Sequence, residues 1–122
     1  MDITEHIKNH FDFLYDEGFK CSIISNNLEE CVKYEGHGCE IAITYDLREH
    51  TIDFGIIYAN GKYYPMIEII YQNVSAFSDF EITEFEKRCG LIITYKNLGA
   101  ILEWFSKFIS AHLTDLMKLQ DY

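Results

Sequence analysis

The chain has 122 residues, 48% apolar and 25% charged, which fits one globular domain over residues 1–122 and excludes disordered and collagen-like classes. Twenty acidic side chains face ten basic ones, for a formal charge of −10, and only Arg48 and Arg88 are arginines. That balance excludes a binder of the nucleic-acid backbone, where each neutralised phosphate needs a positive group.

The polar, acidic start Met1-Asp2-Ile3-Thr4-Glu5 has neither the basic nor the apolar region of a secretory signal. No apolar run approaches the ~18 residues that span a bilayer; the stretch 98–119 is broken by Glu103, Lys107, His112 and Asp115. The expected location is the cytoplasm, without membrane contact. Cys21, Cys31, Cys39 and Cys89 form no C-x-x-C pair and read as reduced, mostly buried thiols.

The first expected element is a helix over 3–17. Asp2 can cap it, Ile3, Ile7, His10, Phe11 and Leu14 recur at steps of three and four, and Gly18 follows as a left-handed stop. Strands follow. Phe19, Cys21 and Ile23 alternate with polar residues, and Val32 and Tyr34 mark a second strand after the Asn26-Asn27 turn. Beyond the Gly36-His37-Gly38 turn, Cys39, Ile41, Ile43 and Tyr45 share one face of a third strand. Ile52, Phe54, Ile56 and Tyr58 share one face of a fourth, which Asn60-Gly61 closes. Short turns imply antiparallel neighbours with one buried face.

The segment 62–74 carries mixed signals: Tyr63 favours a strand, while Pro65 and the spacing of Met66, Ile67, Ile70 and Val74 favour a short helix, the reading adopted here. Residues 78–86 read as acidic and irregular, and 91–95 as a short strand. A broad stripe of Leu98, Ile101, Leu102, Phe105, Phe108, Ile109, Leu113 and Leu116 predicts a helix over 97–118. The expected fold is α+β: an antiparallel β-meander of about four strands, with an N-terminal helix and a long C-terminal amphipathic helix packed on one face.

No phosphate loop, dinucleotide fingerprint, nucleophile elbow or zincin motif occurs. No catalytic residue, cofactor or metal is therefore assigned. His6 and His10 have metal-ligand spacing, but a pair lacks the further ligands zinc requires. Glu35, His37 and Cys39 surround a Gly-flanked turn; alternation places Cys39 in the core, so they read as turn and core residues. Asp46 and Arg48 offer a small polar turn site, read against a solvated ion pair. His112 lies on the apolar side of the last helix and reads as a satisfied core histidine. Asp79, Phe80, Glu81, Glu84, Phe85 and Glu86 interleave acids with aromatics, a composition that meets a basic protein: charge steers and aromatics hold.

Phe11-x-x-Leu14, Glu17-Gly18-Phe19, Val32-x-Tyr34 and Glu40-Ile41-x-Ile43-x-Tyr45-Asp46-x-Arg48 carry a resemblance. The run resembles small bacterial proteins of unassigned function, some of them similar to immunity proteins of toxin systems. The resemblance covers the first half of the chain and implies a leading helix, a short antiparallel sheet and a closing helix, with no catalytic residues. The expected function is non-enzymatic protein–protein binding, as an immunity-type inhibitor of a basic toxin or nuclease. The alternative is a small ligand-binding or enzymatic domain, with a pocket between sheet and helices involving His37, Cys39 or Asp46. A homo-oligomer is a third arrangement.

Overall fold

The computed structural model describes residues 2–118. In chain order it contains α1 (Ile3–His10), α2 (Phe13–Asp16), β1 (Lys20–Ser25), β2 (Glu29–Gly36), β3 (Cys39–Asp46), β4 (Ile52–Ile57), β5 (Tyr63–Pro65), α3 (Met66–Gln72), a 3-10 turn (Val74–Ala76), α4 (Asp79–Arg88) and α5 (Leu98–Lys118). The fold is α+β with an antiparallel meander, as expected, and the sheet, expected to have about four strands, has five, in the order β1-β2-β3-β4-β5.

The Asp2 side chain caps α1 by accepting the Glu5 amide. The expected single helix breaks at Phe11 and Asp12, whose carbonyls accept from Leu14 and Tyr15 three residues on. This tighter winding separates α1 from α2 while Phe11 and Leu14 both stay fully buried. Gly18 then turns the chain at φ +90°, a conformation that favours glycine.

The β2–β3 hairpin turns on His37 and Gly38, both at positive φ (54° and 81°), as a two-residue turn matching strand twist requires. Pairing runs Val32↔Ile43↔Phe54 across the middle strands. The alternation therefore places Val32, Tyr34, Ile41, Ile43, Phe54 and Ile56 on one buried face. α5 covers this face: all eight residues of its stripe are buried, and Phe105 stacks on Phe54 with ring centroids 4.2 Å apart. Each such side chain removed from water contributes about 1.5–3 kcal/mol before chain entropy is set against it.

Three local expectations are corrected. Residues 62–74 form both a strand and a helix, because Pro65 ends β5 at the sheet edge and sits at the N-cap of α3. Residues 78–86 are not irregular: Ser78 and Glu81 form a reciprocal capping box that opens α4. Residues 91–95 form no strand; only Ile93 of these is buried, and its amide donates to the His50 carbonyl at 2.6 Å. Among the described residues, no helix is long and apolar enough to cross a membrane.

Candidate functional site

Helical winding sorts the six acid-and-aromatic residues of α4 into two groups. Asp79, Phe80 and Glu86 are exposed, along with Thr83 and Lys87, and together these define the outward arc of the helix. Phe80 is 71% exposed. On α3, Tyr71 is half-exposed, and its hydroxyl donates to Glu86 at 2.6 Å, which links the two helices.

The inward group has structural duties. Phe85 is 2% exposed and meets Phe105 and Phe108 edge-on, so it belongs to the core and is corrected as a surface anchor. Glu81 bonds the His112 imidazole of α5 and the Ser78 amide. Burial works against its charge, but these partners outweigh burial and hold the carboxyl below the usual range. Glu84 is bound by Arg88 at 2.6 Å, and that hydrogen bond lowers its pKa. Arg88 in turn lies over the Trp104 ring, 4.7 Å from its centroid.

Asp46 and Arg48 are brought together as a turn. The Asp46 carboxylate accepts the Arg48 and Glu49 amides, both at 2.8 Å, and these bonds lower its pKa. This is the Asx geometry that shapes the β3–β4 connection, so backbone shaping explains Asp46 better than ligand recognition does. The same end of the molecule is laced by backbone bonds between three connections: Leu47 to Leu28, and Ile93 to His50.

His37 and Cys39 both line an open cavity of about 650 Å³ between the β2–β3 turn and the end of β4. The His37 Nε2 pairs with the Glu17 carbonyl at 2.6 Å and its ring meets Phe19 edge-on. The Cys39 thiol is buried and donates to the Gly36 carbonyl. Burial, reinforced by Glu40, pushes its pKa up and away from reactive thiolate character. His10 Nδ1 bonds the His6 carbonyl, and among the described residues no group of three or more His, Cys, Asp or Glu side chains could hold a metal ion.

A second feature escaped sequence reasoning. A cavity of about 250 Å³ opens where β5 stops short of the start of β4; Phe54, Phe85 and Phe105 wall it, and Asp53, Tyr63 and Cys89 contribute polar groups. Asp53, Tyr63 and Cys89 remain exposed at the cavity mouth, and partial desolvation there, with Asp46 adding to it, raises the Asp53 carboxyl; partial desolvation likewise raises Tyr63 and Cys89, each also facing the Asp53 charge. Residues 53, 63 and 89 share no motif spacing; only tertiary folding brings them together.

The chain matches no family model, no curated protein and no solved structure.

Proposed function

We propose that this chain acts by binding another protein, using the outer face of α4 to meet a basic partner in the manner of an immunity-type inhibitor. The observation that carries the reading is Phe80, 71% exposed on an arc that also presents Asp79 and Glu86. A large aromatic left in water amid carboxylates supplies both parts of a binding patch: an apolar anchor and a field that draws cations. The formal charge of −10 extends that field over the molecule. Cytoplasmic residence belongs to the same reading, and the four free cysteines accord with a reducing compartment.

The test is capture of a stoichiometric basic protein by the tagged chain from nuclease-treated lysate, followed by kinetics with the purified partner. Phe80→Ala is expected to weaken binding at least tenfold while leaving the melting temperature unchanged, and the on-rate is expected to fall steeply with salt. Equal affinity for wild type and Phe80→Ala, or a salt-independent on-rate, rejects this surface.

The Asp53 cavity favours a second reading, binding of a small apolar molecule with a cationic end. At about 250 Å³ it sits just below the usual ligand-pocket range, so its occupant is small. Phenethylammonium, used as the probe, is expected to raise the melting temperature of wild type but not of Asp53→Asn. No shift in wild type rejects it.

A further inference from the structure

We propose that β1 pairs with β1 of a second copy, joining two sheets edge to edge across a two-fold axis at Ile23. The proposal is independent of the α4 surface and of the cavity.

β1 is a terminal strand of the sheet, and five of its six residues are exposed, so no helix or loop among the described residues covers its length. Its hydrogen-bonding direction can be read from the hairpin that follows. The Asn26 amide donates to the Glu29 carbonyl, which closes the β1–β2 pair. Antiparallel pairing alternates from that point. With the register Ile24↔Cys31, Ser22↔Lys33 and Lys20↔Glu35, the backbones of Lys20, Ser22 and Ile24 face β2. Those of Cys21, Ile23 and Ser25 face outward.

These three outward residues fit one two-fold register without remainder. Centred on Ile23, it places Ile23 opposite Ile23 of the second copy and Cys21 opposite its Ser25, giving about six backbone hydrogen bonds in all. The same register keeps the faces aligned: Ile23 side chains meet on the helix-covered side, while Ser22 lies opposite Ile24 on the other. Ile23 and Ile24 are 45% and 50% exposed in the single chain, so each would lose apolar surface to water-free contact.

Charge selects the occupant. Residues 18–28 contain one lysine and no carboxylate, in a chain where acids outnumber bases two to one. A basic strand would find nothing along β1 to neutralise it. A second β1 would meet no opposed acids, and Lys20 would face Asn26. The edge also lacks the usual blocking devices: it has no proline, no bulge in its register, and a single lysine at its start.

The experiment is sedimentation of the full chain from micromolar to millimolar concentration, with amide hydrogen exchange read by NMR across the same range. The expected result is a reversible dimer whose formation slows exchange at Cys21, Ile23 and Ser25, with Lys20, Ser22 and Ile24 protected at every concentration. Raising salt should tighten this dimer, because it screens repulsion between two acidic copies. Ile23→Pro removes an outward amide and should leave a folded monomer. Ile23→Lys places two ammonium groups opposite each other and should weaken association at least tenfold without relying on a proline. The proposal is overturned by a monomer at millimolar concentration, or by a dimer in which the three outward amides exchange freely. It is equally overturned by a dimer that survives both substitutions, or by protection of those amides only after another protein is added.

Discussion

β1 and β5 both terminate the same sheet, and they end it in opposite ways. β5 is three residues long, finishes on Pro65 and turns at once into α3, while the Tyr63 ring lies over Gly55 of the neighbouring strand. A strand this short, with a residue that cannot donate, offers little to a passing chain. β1 has twice that length, an unbroken register and two exposed isoleucines. The difference shows that edge protection is written locally, in a proline and a glycine–tyrosine contact, rather than conferred by the fold as a whole.

Truncations on the two sides should separate them most sharply. Phe105→Ala removes the ring stacked on Phe54 and packed against Phe85, and is expected to cost about 3–5 kcal/mol in denaturant unfolding. Ile24→Ala, on the exposed strand, should stay within about 0.5 kcal/mol. Similar losses at the two sites would break the comparison.

α4 is fastened to the closed side partly by Glu81, which joins the capping box to His112. Glu81→Ala should cost about 1–2 kcal/mol at neutral pH. Its carboxyl is lowered in the folded state, so its stabilisation is complete above the ordinary glutamate value of about 4.3 and is lost as pH falls through the lowered one. Urea midpoints measured against pH should therefore converge for variant and wild type in acid; a constant gap would mean that the charge is not what matters.

A smaller effect than that of Glu81 concerns the lock on β5. A Cβ at position 55 would overlap the Tyr63 ring, but only its mobile outer end, which can swing away. Gly55→Ala should therefore cost only about 1 kcal/mol while speeding amide exchange in β5. Unchanged exchange would show that Pro65 closes the edge unaided.

How much of this was legible beforehand follows from how local each signal is. The α5 stripe and the alternation of β3 and β4 repeat over many residues, and the structure reproduces them almost to the residue. α4 was missed because its inward face holds few apolar residues, Phe85 chief among them, and its acids masked the Ser78-x-x-Glu81 start. Phe80 and Phe85 looked equivalent in the sequence, yet five helical steps turn them to different sides of α4, one into water and one into the core. The Asp53 cavity had no linear signature, since β4, β5 and the residue that follows α4 each supply one of its polar groups. The bare edge of β1 was hidden for another reason: alternation forecasts which side chains are buried but not which strands lie outermost.

The helix that covers the sheet also has a consequence for the growing polypeptide. All five strands are complete by Pro65, whereas α5 begins only at Leu98. A ribosome making this chain must therefore emit the whole apolar face of the meander before its principal cover exists. During that interval Ile41, Ile43 and Phe54 lack the partners that later exclude water from them, so the nascent chain would depend on α5 emerging promptly, or on a chaperone, to escape aggregation.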